Sequence, residues 1–409
     1  MKAQHILSYG ICAVMLVFTF AACQGPTGPA GPQGPQGPKG DPGNSGGSGS
    51  NGGGGSVTLA HVHIWDEWVV TPEPTANTNG SERKICSGCS TSETRTIPSG
   101  SIIVRDLTEW NSALTAIRTG SNDKSYTICI LGDISGMTPV YTAPTNNTTG
   151  FGMVTGLTVT LRGKGVLIKS ASGGSIFRLG SGQKLIIDGG LTLQPTGGGD
   201  SIVYVQTGGI LELKDGTLTG NSISGSSYSG GGGVYVGNGG SFTMNGGEIT
   251  GNRSNGSGGG VYVDDGGTFT MGGGIISSNL SGSTSSGYSY GGGVYVDDGT
   301  FTMNGGEIGG NLASIGGGVC VSGTFTMNGG VITGNNTNNY NGGGVYVSGG
   351  TFRIANGTLY RNSANVGAEL YLSSAVAAEY GKFSGLKWLR IGYLITTSNT
   401  IRVVNGVLQ

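Results

Sequence analysis

From Val234 onward, apolar and polar residues alternate in short bursts closed by glycine: Val234-Tyr235-Val236, then Phe242-Thr243-Met244, then Glu248-Ile249-Thr250. A period of two is that of a strand. It points Val234, Val236, Phe242, Met244 and Ile249 to one side, and Tyr235, Thr243 and Glu248 to the other. The same phrase returns at Val261, Val294, Val319 and Val345, spaced 27, 33, 25 and 26 residues apart. A unit that short cannot enclose a core, so copies bury their apolar sides only by stacking. Three short strands separated by glycine turns make a triangular coil, and the stack predicts an all-β fold, a right-handed parallel β-helix. Length changes fall after VYV and after the closing Asn of each unit, so two corners carry variable loops. The longest insertion, Leu280 to Tyr290, is the expected site of the most adaptable surface.

Residues 100–409 read as one domain with a cap at each end. Asp106 with Glu109 forms a capping box, Leu107, Trp110, Leu114 and Ile117 share one helical face, and Gly120 ends the helix. Such a helix would cover the open end of a stacked sheet. Tyr126, Ile128 and Ile130 then alternate as a first strand. The tail from Val366 to Gln409, with runs such as LKWLRIGYLI, reads as a C-terminal cap.

The chain ahead of this domain is built differently. Residues 1–23 form a targeting segment: Lys2, an apolar stretch from Ile6 to Phe20, then Phe20-Ala21-Ala22-Cys23. Small residues before a cysteine resemble the lipobox of bacterial lipoproteins, which implies cleavage that leaves Cys23 lipidated and the protein held to a membrane by acyl chains. In residues 24–46 glycine falls at every third position, the period a collagen triple helix demands. Lys39-Gly40-Asp41 resembles an ion-pairing step of collagens. A homotrimeric stalk and a single polyproline-II spacer both fit. Residues 47–58 read as a Gly/Ser linker.

Residues 59–99 resemble a short His/Trp plus Cys-x-x-Cys β-module of bacterial surface proteins. Relatives often carry a further Cys near Ala76 and a Gly-His after the Ile-Pro, both missing here. His61 and His63 lie on one face of an alternating strand, and Cys86 and Cys89 on a turn. Four such ligands suit a structural zinc; a Cys86–Cys89 disulfide is the main rival in an oxidising compartment, and free thiols are the third reading.

Composition changes the picture in two ways. Glycine at 87 of 409 residues suggests disorder, yet Val, Ile, Phe, Tyr and Met recur at fixed places among the glycines. A net charge of −1 argues against a nucleic-acid partner. The GGGVYV and FTMNGGEITGN units resemble the repeats of Gly-rich bacterial surface β-helices, including the polymorphic-outer-membrane-protein type, over roughly residues 170 to 362. The resemblance implies a single-stranded, pectin-lyase-like β-helix displayed at the cell envelope, on the outer membrane, with the lipid at Cys23 as its anchor. It also implies host matrix proteins or glycans as partners.

Stacking sets equivalent residues in rows. Asn221, Asn252, Asn279, Asn311, Asn335 and Asn362 predict an asparagine ladder that satisfies its own hydrogen bonds. Thr243, Thr270, Thr302 and Thr326 predict a similar outward ladder. Tyr235, Tyr262, Tyr295 and Tyr346 form an aromatic row interrupted by Cys320; it is either a face for sugars or a self-stacking strand row. Asp264, Asp265, Asp297 and Asp298 share a corner, where oxygen ligands would suit calcium and turn propensity explains Asp-Asp-Gly equally well. The alternative to an adhesion scaffold is a polysaccharide hydrolase or lyase using those carboxylates, or a purely structural envelope component. A lyase needs cations, and the one Lys or Arg between Asn221 and Gly350 is Arg253; no histidine follows His63. The sequence therefore predicts no enzyme.

Overall fold

The computed structural model describes residues 66, 69–138, 150–163, 167–170, 174–223, 230–282, 288–338, 340–373, 401–404 and 407–408. Two compact units divide the chain, Met1–His61 and Val62–Gln409, and all described residues belong to the second. The targeting segment, the Gly-X-Y stretch, the Gly/Ser linker and the pair His61 and His63 lie outside the described residues, as do residues 374–400 with LKWLRIGYLI and 283–287 of the long insertion.

The fold is a parallel β-solenoid of about nine turns. Each regular coil contributes one strand to each face. Val234–Val236, Val261–Val263, Val294–Val296, Val319–Val321 and Val345–Val347 run through one sheet. Ser241–Met244, Thr268–Met271, Thr300–Met303 and Thr324–Met327 run through a second, and Glu248–Thr250, Ile275–Ser277, Glu307–Gly309 and Val331–Thr333 through a third. Register is strict: Phe242 pairs with Phe269, then Phe301, then Phe325. The predicted stacking of each Val-x-Val over the last is what the structure has.

Two expectations are corrected. Coils in the middle of the stack carry four strands, not three. The residues after the ladder asparagine form two-residue strands, Ser222–Ile223, Arg253–Ser254, Leu280–Ser281, Leu312–Ala313 and Asn336–Thr337, which pair from coil to coil. Two residues carry too little alternation to show in the sequence. Second, the strand Ser125–Ile130 is not the first of the stack: Ile102–Val104, ahead of the helix, pairs with it in parallel and forms the sheet edge.

The core follows from alternation. Val234, Val236, Phe242, Met244 and Ile249 are fully buried, and so are their counterparts through Val347; in the last coil Phe352 and Leu359 stay buried and Ile354 is partly so. Burying a residue of this size contributes about 1.5–3 kcal/mol. The phenylalanines also stack on each other, with ring centroids 4.7 Å apart from Phe242 to Phe269 and from Phe269 to Phe301. At the corner before each isoleucine the backbone must turn left-handed: Gly306 has φ 84°, and a Cβ there would sit 2.6 Å from the methyl of Met271. Only glycine serves.

A helix, Leu107–Arg118, closes the N-terminal end. Asp106 accepts from the backbone N of Glu109 at 2.8 Å, and Glu109 Oε2 accepts from the backbone N of Arg105, a residue earlier than a standard box. Trp110, Leu114 and Ile117 are buried, and Trp110 meets Phe177 edge-on. The helix packs on Ile102–Val104 and Ile134–Met137, the terminal strands of two sheets, as a cap should. At the other end Ile401–Val404 pairs antiparallel with Gly357–Tyr360 and with Val407–Leu408, which stops the parallel ladder.

Residues 69–97 form a separate three-stranded antiparallel sheet, Val69–Val70, Gly80–Ile85 and Ser92–Ile97. It is fastened to the early coils: Arg162 donates to the carbonyl of Thr96 at 3.0 Å and pairs with Asp188, while Arg105 holds Glu73. Glu82 is buried at this junction, and burial raises its carboxyl although Arg162 and Arg95 pull it down.

Candidate functional site

The outward column of the Val-x-Val sheet is the site with the most chemistry. Because each coil repeats in register, Tyr204, Tyr235 and Tyr262 fall in line, with ring centroids 4.5 and 5.0 Å apart and nearly parallel planes. Tyr295 follows at 5.2 Å, tilted, and beyond Cys320 the pair Tyr346 and Tyr371 resumes at 5.1 Å. The row is longer than the sequence motif suggested, since Tyr204 and Tyr371 lie in weaker repeats. It is also half-buried rather than fully exposed.

Three of its hydroxyls are engaged. Tyr235 donates to Asp264 Oδ2 at 2.7 Å, Tyr262 donates to Asp297 Oδ2, and Tyr295 reaches Asp297 Oδ1 at 3.3 Å. Burial, then the hydrogen bond to the carboxylate, raises the phenols of Tyr235 and Tyr262 well above their ordinary value. The carboxylates favour the protonated donor. At the head of the row Arg178 lies 3.8 Å over the Tyr204 ring and pairs with Asp200 at 2.7 Å, a cation on an aromatic face.

The predicted interruption at Cys320 is filled. Tyr290, from the end of the long insertion, bridges to Ile315 and lays its ring on Tyr295 at 5.8 Å and 27°. Under this cover Cys320 is fully buried, and burial pushes its thiol up.

The four aspartates do not act as one cluster. Asp264 is taken by Tyr235 and by the backbone N of Asp265, and Asp297 by Tyr262, Tyr295 and Ser322. Among the described residues no group of three or more His, Cys, Asp or Glu could hold a metal ion. Cys86 is buried and Cys89 exposed, and the two are not bonded to each other; the Cys89 thiol donates to Thr91 Oγ1 at 3.1 Å. The partners expected for a zinc, His61 and His63, lie outside the described residues.

The asparagine row is a ladder with a direction. Asn279 donates from its side chain and from its backbone N to the same Asn311 Oδ1, and its side chain also reaches the carbonyl of Ile249. Asn252, Asn311 and Asn335 repeat this geometry. From Asn252 to Asn335 each amide donates to the next one toward the C-terminal end, where Asn362 donates to Glu369 Oε2 at 2.6 Å, whereas the Asn221 amide donates to the carbonyls of Asp200 and Gly232. Glu369 was not foreseen. It is 1 % exposed, its other oxygen has no partner among the described residues, and burial raises its carboxyl.

Among the described residues, two tyrosines missed by the repeat pattern are the exposed ones. Tyr288 and Tyr340 are 62 % and 42 % exposed, and meet edge-to-face at 5.3 Å. They come from the variable corners of two successive long loops, where repeat alignment carries no signal.

Comparison with models of protein families, with curated proteins and with solved structures found no match. Among the described residues no helix is long and apolar enough to cross a membrane.

Proposed function

We propose that this chain is a bacterial surface lipoprotein that acts as a non-enzymatic adhesion scaffold. Lipid on Cys23 anchors it, residues 24–46 hold the solenoid away from the membrane, and the solenoid presents neutral contact sites to glycans or matrix proteins. The supporting observation is the Tyr288–Tyr340 pair. Aromatic faces left in water on a charge-poor coil surface suit sugar rings, whereas Tyr235, Tyr262 and Tyr295 of the regular row spend their hydroxyls on Asp264 and Asp297. The same two carboxylates are those a hydrolase would use, and as hydrogen-bond acceptors for tyrosines they act as braces of the fold.

A glycan and matrix-protein array probed with the chain from residue 24 onward tests this reading. Binding that weakens about tenfold in Tyr288→Ala/Tyr340→Ala, with an unchanged melting curve, supports it. A blank array, or polymer cleavage that disappears in Asp264→Asn/Asp297→Asn, overturns it.

A further inference from the structure

The second sheet shows the solvent a surface unlike any other on the molecule. Thr268, Thr300 and Thr324 pair in register as one column, and Thr270, Thr302 and Thr326 as a second. Ser241 and Thr243 add a rank on one side. The phenylalanine between each pair points inward and is fully buried, so both hydroxyls of every rank, and both methyls of each threonine rank, face outward. The register does not shift from coil to coil, so the columns stay aligned. Strand geometry sets the hydroxyl-bearing positions roughly 4.8 Å apart along the stack and roughly 6.6 Å apart along the strand.

None of these hydroxyls has a hydrogen-bond partner among the described residues, so the expected threonine ladder is a column of neighbours and not of bonded groups. The contrast with Thr250 is direct: on the adjoining face its hydroxyl bonds Ser277 Oγ at 3.1 Å. The array also carries no charge. Ion-paired Lys184, Glu212 and Lys214 end it on one side and Arg353 on the other.

A macromolecular partner would be met by aromatic, amide or charged groups, and this sheet offers none along its ranks. What it offers is a two-dimensional lattice of rotatable hydroxyls, each beside a methyl. Water over such a surface is held by the hydroxyls and ordered around the methyls, at the spacing the strands impose. Rows of oxygens at a repeat of the same order recur on the faces of hexagonal ice. We propose that the threonine face binds ice, adsorbing through an ordered water layer with many weak contacts acting together. This site is independent of the anchor and of the Tyr288–Tyr340 contact.

The test is partition of the purified full chain into slowly growing ice, with ice-crystal shape recorded under a microscope. The expected result is enrichment in the ice and faceted crystals. Thr270→Tyr/Thr302→Tyr, which keeps strand-favouring residues on a solvated face but breaks its flatness, should cut partition about tenfold or more. Thr333→Tyr on the adjoining face is the matched control and should leave it unchanged, with melting curves confirming that both variants fold. Exclusion from ice at the level of a non-binding protein overturns the proposal. So does equal loss in the control, or retention on crystalline cellulose or self-association through this face without any ice partition.

Discussion

Two columns climb the same coils and treat interruption differently. The asparagine column is buried and runs unbroken through six coils, while the tyrosine column is half-buried and has a cysteine in its middle. The difference is the reach of water. A buried amide has no water to turn to, so each coil must supply the one before it with an acceptor. A tyrosine hydroxyl at a partly wetted surface can lose a neighbour, and a ring from a loop can fill the place. Buried polar columns therefore impose one residue per coil, and surface columns only suggest one.

The largest break in that comparison comes from the middle of the buried column. Asn311→Ala removes the acceptor of both Asn279 donors and the donors to Ile276 O and Asn335 Oδ1. Leaving such groups dry costs about 1–3 kcal/mol each, partly relieved by rearrangement, so about 3 kcal/mol should be lost in a urea titration. A loss under about 1 kcal/mol would mean that water enters the column.

The end of the same column should titrate. Burial raises Glu369, so the folded chain holds its proton above the pH at which the unfolded chain releases it. Its contribution is then fully present below the ordinary carboxylate value and is lost as pH rises through the folded value. Glu369→Gln keeps an acceptor for Asn362 and should flatten stability over that interval. Glu82 shifts in the same direction, so some slope persists in the variant.

On the outer column the effect is smaller. Tyr262→Phe deletes the donor to Asp297 and keeps the ring, at a cost of about 1 kcal/mol. The pH signature is alkaline. Tyr235 and Tyr262 hold their protons above the ordinary phenol value, so their contribution is full below about pH 10 and is lost above it. An ultraviolet titration of the folded chain should show fewer phenolates at pH 11 than the urea-unfolded chain does.

These columns also show what a sequence can carry. The in-register coils, the inward set, the asparagine ladder and the helix cap were all legible, because each repeats a period or a capping pattern. The fourth strand was not, since Arg253–Ser254 and its counterparts are too short to alternate. Glu369 terminates the ladder at a position where the repeat has already decayed, so only the fold brings it to Asn362. The tyrosine row was visible but its state was not: that Asp264 and Asp297 brace it depends on a contact across 29 and 35 residues. Tyr288, Tyr290 and Tyr340 sit in insertions, where each coil differs from its neighbours.

The smallest expected change in stability is the sharpest check on repair of the outer column. Cys320 lies beneath Tyr290, between Tyr295 and Tyr346, and its thiol is fully buried and pushed up by that burial. A thiolate is the reactive form, so the native chain should label at Cys320 only when it opens. Tyr290→Ala removes the cover without touching the core, and a partly exposed ring at a loop end contributes about 0.5–1 kcal/mol. Labelling with iodoacetamide, read at the Cys320 peptide by mass spectrometry, should quicken by far more than stability falls. Equal rates in the two proteins would mean that the coil itself, and not the borrowed tyrosine, closes the gap.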